Sequence, residues 1–200
     1  MLILFTICSC YETKNQYDCI WLKIFYHNSV GGVFFSNFSH GMFSLEPNLY
    51  SIFSLITDDF RIDGKFEFLL EYPGSSGYNR WRQSFLPWNN NEVSGKKAEG
   101  YENIYITWSG SDWGGLVKSN NGYGLYTLID GSAGKNLWHY AIGCISTRYS
   151  PRFPGPNGGT VLECRLWIRM SDLSLIKKET LLYPPKQSTL VHILFFLIVQ

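Results

Sequence analysis

The sequence predicts an all-β protein, an antiparallel β-sandwich of the jelly-roll or lectin type with irregular terminal tails. Aromatic residues make up 17% of the 200 residues and glycines number 19, whereas charged residues are only 16%. Aromatic side chains pack well on pleated sheets, and glycine supplies the turns between strands. Short apolar runs alternate with turn signals, and no window longer than two helical turns carries an apolar stripe at helical spacing.

The predicted strands follow one another at the close spacing of a sandwich or barrel. They are 33–38, 51–57, 65–70, 78–84, 103–109, 116–118, 123–129, 137–145 and 160–169. The clearest alternation lies at 65–70, where Phe66, Phe68 and Leu70 share one face directly after an Asp63-Gly64 turn. Further turns are predicted at Asn121-Gly122, at Asp130-Gly131 and in the loop 151–159.

This pattern defines a domain at about 31–172 between two terminal segments that we expect to contribute little to the core. Residues 1–30 are predicted to be signal-like or irregular, and the apolar stretch 1–10 is interpreted as either a short secretory signal or a truncated or wrongly joined gene start. Residues 173–200 form an apolar tail. Its run 190–199 is about half of the ~20 residues that a membrane span needs, which leaves a lipid-anchor signal, a strand or a frayed terminus.

The charge balance argues against nucleic acid as a partner. Seventeen Lys and Arg residues face sixteen Asp and Glu residues, for a formal net charge of +1. Such a chain offers no basic field to a phosphate backbone. We therefore expect no nucleic-acid binding, and membrane contact only through the termini.

The motifs of common catalytic and metal sites are missing from the sequence. The segment 131–136 departs from the phosphate-binding loop, and in 57–64 Arg61 occupies a position where a calcium loop needs an oxygen ligand. A glycosidase needs two carboxyl groups held across a sugar, and nothing in the sequence brings two acids together. The expectation is a protein without cofactor, metal or catalytic residues.

Two features indicate an oxidising, extracellular compartment. Cys144 and Cys164 both fall on apolar faces of predicted strands. They would form a disulfide if those strands are neighbours, and two separately buried thiols are the alternative. Asn37-Phe38-Ser39 is a glycosylation sequon, which makes Asn37 a candidate modification site in a secreted chain.

The candidate ligand site consists of aromatic and polar residues in two predicted loop clusters, 78–91 and 109–115. Flat aromatic rings provide contact area for sugars, and polar neighbours bind hydroxyl groups. For each Trp taken alone, a place in the core is the alternative. The expected ligand-binding residues, gathered by loops at one end of the sandwich, are Arg80, Trp81, Arg82, Trp88, Asp112, Trp113 and Asp130. Trp88 and Trp113 are the expected sugar platforms, with Arg82 and Asp112 as polar partners.

Several short motifs, in their order and spacing, resemble a family of uncharacterised domains from large extracellular or surface proteins of invertebrates and protists. They are Trp113-Gly114-Gly115-Leu116, the segments 127–132 and 138–143, Pro154-Gly155-Pro156 and Leu166-Trp167-Ile168-Arg169. The similarity covers about Phe34 to Met170 and implies an extracellular recognition module without catalytic residues. The stretch 137–144 also resembles a fibrinogen-like recognition domain, which would be α+β.

The sequence thus predicts an extracellular recognition or adhesion module whose partner is a glycan or a glycoprotein. A polysaccharide-acting hydrolase and a structural matrix spacer without ligand are the alternatives. Two facing carboxyl groups in a cleft near Trp81 or Trp113 would indicate the hydrolase. A flat or shallow groove lined by Trp and Asn would indicate the binding module.

Overall fold

The computed structural model describes residues 12–89, 93–118, 127–133, 139–145 and 151–172. Its main element is an antiparallel sheet of eight strands, which confirms the all-β prediction. The strands of the described residues are β1 (Thr13–Gln16), β2 (Cys19–Asn28), β3 (Ser44–Glu46), β4 (Leu49–Ser51), β5 (Phe66–Glu71), β6 (Asn79–Gln83), β7 (Val93–Ser94), β8 (Lys97–Ala98), β9 (Glu102–Ile106), β10 (Val117–Lys118), β11 (Ile129–Asp130), β12 (Phe153–Pro154), β13 (Thr160–Val161) and β14 (Glu163–Met170).

The strands of the large sheet lie in the order β3-β4-β2-β14-β5-β6-β9, and β1 pairs with the first part of β2. Side chains alternate between the two faces of this sheet. Phe66, Phe68 and Leu70 of β5 belong to the large apolar cluster, and we call their side the inner face. Glu67 and Leu69 point the other way, and we call that side the outer face.

A layer of loops, short helices and small sheets covers the inner face. An α-helix, α1 (Phe38–Met42), and three 3-10 helices at Phe53–Leu55, Asp58–Phe60 and Pro156–Gly158 belong to the described residues. Buried residues of this layer join the cluster of the sheet: Phe53, Phe60, Leu116, Ile129, Ile142 and Phe153. The strands outside the large sheet pair as β10–β11, β12–β13 and β7–β8, each a two-stranded sheet. The packing of two large sheets that defines a sandwich is therefore not confirmed.

The predicted domain start at residue 31 was wrong, because strand β2 lies before it and belongs to the large sheet. This strand lies between β4 and β14, and Trp21, Ile24 and Phe25 are fully buried. The pairing with β14 shifts by one residue between Leu166 and Trp167, because Ile24 is an extra residue on β2. This bulge interrupts the two-residue alternation by which a strand is recognised, so residues 19–28 were wrongly assigned to an irregular segment. The tail 173–200 lies outside the described residues.

Other strand predictions differ in their outcome. The strands expected at 65–70, 78–84 and 160–169 are confirmed as β5, β6 and β14, with small shifts at their ends. Residues 33–38 form no strand. Within 51–57, residue 51 ends β4 and residues 53–55 form a 3-10 helix. Parts of 123–129 and 137–145 lie outside the described residues. Of the remainder, 129 lies in β11 and 142 makes an isolated bridge to it.

The turn before β5 has the predicted form. Asp63 and Gly64 both have positive φ angles, 52° and 77°, and the flanking residues Ile62 and Lys65 form an antiparallel bridge. Two consecutive residues with positive φ suit the right-handed twist of a tight hairpin, and Asp-Gly is a preferred pair at these positions.

Two buried side-chain amides of β6 attach the loop layer to the inner face. The Asn79 amide donates to the carbonyl of Trp108, 2.8 Å, and accepts from its backbone N–H, 2.9 Å. The Gln83 amide does the same with the backbone of Leu116, at 2.9 and 3.0 Å. Because buried polar groups must find partners, these pairs specify where the two loops lie on the sheet.

The predicted disulfide is not formed. Cys144 and Cys164 are fully buried free thiols whose pKa values are raised by burial. The alternation correctly placed Cys164 on the inner face. Cys144, however, lies in a loop whose carbonyl accepts from Phe35, and that loop is no neighbouring strand of β14.

We expect the buried imidazole of His27 to make folding sensitive to acid. Its ring stacks on Phe153 at 4.7 Å, its Nε2 lies 2.9 Å from the carbonyl of Val33, and burial lowers its pKa from 6.5 to about 4. Between these values the unfolded chain binds a proton that the folded chain does not. The contribution of His27 to the free energy of unfolding should therefore fall by up to about 1.4 kcal/mol per pH unit as the pH drops through this window.

Urea unfolding of the full chain and of His27→Gln between pH 4 and pH 7 tests this expectation. The variant should lose this part of the acid sensitivity, because glutamine does not titrate. Parallel curves for the two proteins would contradict it.

Candidate functional site

The three tryptophans of the predicted ligand site are core residues. Trp81, Trp88 and Trp113 are only 0%, 5% and 8% exposed. Trp88 stacks on Phe53 at 4.2 Å, and Trp113 contacts Trp81 edge to face at 4.9 Å. The expectation that Trp88 and Trp113 serve as exposed sugar platforms was wrong, because the loops that carry them fold onto the sheet rather than away from it.

The loops of Asp112 and Asp130 do meet, on the inner side of the sheet. The hydroxyl of Ser132 donates to the carbonyl of Ser111, 2.9 Å, and the hydroxyl of Tyr140 donates to the carbonyl of Gly110, 2.7 Å. Asp112 itself is half-buried, with Lys96 Nζ at 3.9 Å. These two segments therefore lie together, whereas Arg80 and Arg82 lie on the outer face, so the seven predicted residues do not share one surface.

Asp130 is buried, with 3% of its surface exposed. Its Oδ1 accepts from the backbone N–H of Ser132 at 2.7 Å, and its Oδ2 has no hydrogen-bond partner among the described residues. Burial raises the pKa of Asp130 to about 7, although the N–H groups of Ser132 and His139 act in the opposite direction. Such burial leaves little surface for a ligand.

The outer face brings three arginines around one carboxylate, and we call this group the arginine cluster: Glu67, Arg80, Arg82 and Arg169. Glu67 Oε1 accepts from Arg80 Nε at 2.8 Å and lies 2.6 Å from Arg80 Nη2 as an ion pair. Oε2 accepts from Arg82 Nε and from Arg169 Nη1, both at 2.9 Å. The side chains of the arginines are 15%, 24% and 27% exposed, whereas that of Glu67 is 0% exposed.

Strand pairing explains why these residues meet. Arg82 of β6 lies directly opposite Glu67 of β5, and Arg80 lies two residues along on the same face. On the other side of β5, Ile168 of β14 lies opposite Phe68, so the next residue, Arg169, flanks Glu67. Residues at cross-strand positions are close enough to pair.

The arginines keep Glu67 ionised. Burial raises the pKa of Glu67, but hydrogen bonds from Arg169, Arg80 and Arg82 outweigh burial and hold it below its ordinary value of 4.5. The same contacts, above all the hydrogen bond to Glu67, raise the pKa of Arg169. The cluster therefore carries its full charges at neutral pH.

The other outer-face cations are each matched by an acid. Lys14 pairs with Glu71 at 2.7 Å and Arg165 with Glu163 at 2.7 Å. Lys23 pairs with Glu12 and Lys65 with Glu102. The arginine cluster, with three guanidinium groups and one carboxylate, has a local excess of two positive charges, moderated by exposed Asp63, whose charge also acts on Arg169.

Aromatic rings adjoin the cluster. Tyr17, Tyr78 and Tyr105 form a row, with ring centroids 5.1 Å apart for the first pair and 4.6 Å for the second, and we call it the tyrosine row. The guanidinium of Arg80 lies 5.7 Å from the ring of Tyr17 and 5.4 Å from that of Trp21. Tyr105 is 52% exposed and Tyr17 38%. Charged donors and accessible rings thus share one surface.

Sequence reasoning named Arg80 and Arg82 but missed Glu67, Arg169 and Tyr105. The available signal was the spacing of polar residues two apart on 65–70, 78–84 and 160–169. It shows which residues share a face. It does not show that these three strands are neighbours in the sheet.

Asn37 is exposed and forms the N-cap of α1, where its side chain accepts from the backbone N–H of His40 at 2.9 Å. Among the described residues, no group of three His, Cys, Asp or Glu side chains is arranged to hold a metal ion. No helix in that part of the chain has the length and apolar character to cross a membrane.

Comparison with protein-family models, with curated proteins and with solved structures finds no match to this chain.

We expect Glu67→Gln to destabilise the fold by about 3 kcal/mol or more, because it leaves three guanidinium groups without a compensating charge. Glu102→Gln is the matched control, since it breaks a solvent-exposed pair with Lys65 that should contribute less than about 1 kcal/mol. Chemical denaturation at pH 7 measures both losses. Equally small losses would contradict the structural importance of the cluster.

Asp130 should contribute a pH dependence of opposite sign to that of His27. Its folded-state pKa of about 7 exceeds the ordinary value of 3.8, so the folded chain holds a proton that the unfolded chain has released. The contribution of Asp130 to the free energy of unfolding should fall as the pH rises from about 4 to about 7, by up to about 1.4 kcal/mol per unit. Asp130→Asn should remove this contribution, so in urea titrations the difference in free energy of unfolding between the unmodified chain and the variant should change across this range. Parallel curves for the two proteins would contradict the expectation.

Proposed function

We propose that this chain is an extracellular recognition or adhesion module that binds a glycan or a glycoprotein on the outer face of its sheet. The observation that carries the proposal is the tyrosine row beside the arginine cluster. Tyr105 lies directly opposite Arg80 in the strand pairing, and its ring stacks on Tyr78. An aromatic ring offers its flat side to the C–H face of a sugar, and neighbouring donors bind the hydroxyl groups.

The position of the row on rigid strands also supports the proposal. Tyr78 directly precedes β6 and Tyr105 lies within β9. The Tyr78 carbonyl accepts from the backbone N–H of Thr107 at 3.1 Å. Rings held in this way lose little conformational freedom when a ligand binds, and that reduces the cost of association.

Two features support an extracellular location. Asn37 of the sequon is exposed, as N-glycosylation requires. The motif resemblance to domains of large surface proteins points in the same direction. The free thiols do not enter the argument, because thiols buried this deeply are inert in either redox compartment.

The alternative, a polysaccharide-acting hydrolase, is favoured by one observation, the raised pKa of Asp130. A carboxyl group protonated near pH 7 is what a general acid requires. Its burial, which leaves 3% of its surface exposed, argues against this role, because a general acid must reach the glycosidic oxygen of its substrate. A hydrolysis assay on any glycan that the chain binds separates the two functions, because release of reducing ends would indicate the enzyme.

We expect Tyr105→Ala to weaken glycan binding at least about tenfold, since ring stacking and the C–H contacts of a sugar are lost together. Ile104→Ala is the matched control. Ile104 is 41% exposed on the same strand, but it is the extra residue of a bulge and lies outside the tyrosine row. A glycan array probed with the full chain, followed by titration of the best ligand, measures the effect.

Melting temperatures of both variants should stay near that of the unmodified chain, which shows that binding rather than folding is affected. Equal binding by Tyr105→Ala and the unmodified chain would reject the outer face as the binding surface. Absence of any glycan binding by the unmodified chain would reject the proposed function and favour the structural spacer.

A further inference from the structure

We propose that the arginine cluster is a subsite for the anionic groups of an acidic glycan, one that carries carboxylate or sulfate. This inference rests on the proposed function and specifies its ligand. Arg82 and Arg169 are the ligand-binding residues, Arg80 joins them to the tyrosine row, and Glu67 is a positioning residue.

The first argument is the local charge. The other outer-face cations described above are paired one to one with acids, whereas three guanidinium groups share Glu67. Holding like charges together in a partly buried place is costly unless an opposite charge compensates them. A negatively charged ligand would supply the missing compensation.

The second argument is the number of donors that the cluster retains. Each guanidinium has five N–H donors. Glu67 uses only Nε of Arg82 and only Nη1 of Arg169. The remaining terminal donors match the planar geometry of carboxylate and sulfate oxygens, which arginine binds through paired hydrogen bonds.

The third argument is pre-organisation. Three hydrogen bonds and one further ion-pair contact to one buried carboxylate orient the three arginine side chains before any ligand arrives. A long side chain that is already ordered loses less rotamer freedom on binding. Glu67 would therefore act on the ligand through the arginines, without touching it.

The neighbourhood of the cluster selects a glycan over other polyanions. Arg80 contacts both Glu67 and the ring of Tyr17, so the charged subsite continues into the tyrosine row. An acidic sugar presents an anion and a C–H face within one unit, and this surface offers a partner for each. A nucleic-acid backbone would meet a chain with a net charge of only +1.

The test measures binding of the full chain to three oligosaccharide series of equal length: sulfated, carboxylated and neutral. Arg82→Gln and Arg169→Gln should each weaken binding to the acidic series about tenfold or more, because charge-assisted hydrogen bonds are lost. Arg152→Gln is the control, since it removes the same charge from an exposed residue whose described hydrogen bond is to the carbonyl of Thr160. Added salt should weaken the binding of the unmodified chain.

A second measurement needs no variant and is therefore independent of folding defects. Phenylglyoxal modifies accessible arginines, and mass spectrometry locates the modified sites. A sulfated or carboxylated oligosaccharide should protect Arg82 and Arg169 in the unmodified chain and leave Arg152 reactive. Glu67→Gln, where it folds, should bind the acidic series more weakly than the unmodified chain does. Glu67→Asp keeps the charge and should bind the series more tightly than Glu67→Gln does.

The outcomes separate this inference from the proposed function. Tight binding to neutral glycans with no effect of Arg82→Gln and no protection would overturn the inference and leave the proposed function standing. Equal protection by poly-glutamate, with no binding to acidic glycans, would identify an acidic peptide as the occupant and overturn it. Absence of all glycan binding would overturn both.

Discussion

One buried negative charge constrains the register of the central strands. The carboxylate of Glu67 is out of contact with water, and an ionised carboxylate in that position is tolerated only when its partners are in place. Its partners come from both neighbouring strands, Arg82 from β6 and Arg169 from β14. A slip of one residue in either strand would turn an arginine to the inner face and remove compensation from the charge. The outer face therefore enforces the pairing on which the inner core is built.

Strand β6 connects the two layers of the molecule because its two faces perform different tasks. Outward, Arg80 and Arg82 bind the carboxylate of β5, and inward, the amides of Asn79 and Gln83 bind the backbone of the loop layer. Trp81, between them, donates its indole N–H to Gln83 at 2.8 Å. The loops are thereby held down on the sheet, which accounts for the burial of the aromatic residues that they carry.

Strands were predicted best from the sequence where apolar and polar residues alternate regularly. In β5 and β14 every second residue is apolar, and both strands were placed correctly. In β2 an extra residue, Ile24, breaks the alternation, and the strand was missed. Strand β9 also has an extra residue, Ile104, but most of it was predicted within 103–109. The site was predicted in part. Arg80 and Arg82 were named, but Glu67 was not, because its partners lie on β6 and β14. The tryptophans were misplaced because residues in predicted loops were taken to be exposed. The side-chain amides that attach these loops to the sheet leave no periodic signal in the sequence, so the burial of the loops could not be predicted.

The bulge in β2 has a consequence for how this fold tolerates change in length. Before Ile24, Trp21 lies on the outer face, and after it Phe25 lies on the inner face, so the extra residue reconciles two halves of one strand that would otherwise be out of phase. In a related chain with one residue fewer at this point, every following residue of the strand would change face. To keep its core, that chain would need apolar residues at the positions that are now polar and polar residues at those that are now apolar. Insertions and deletions should therefore accumulate in the loop layer during evolution, while β2 keeps its length.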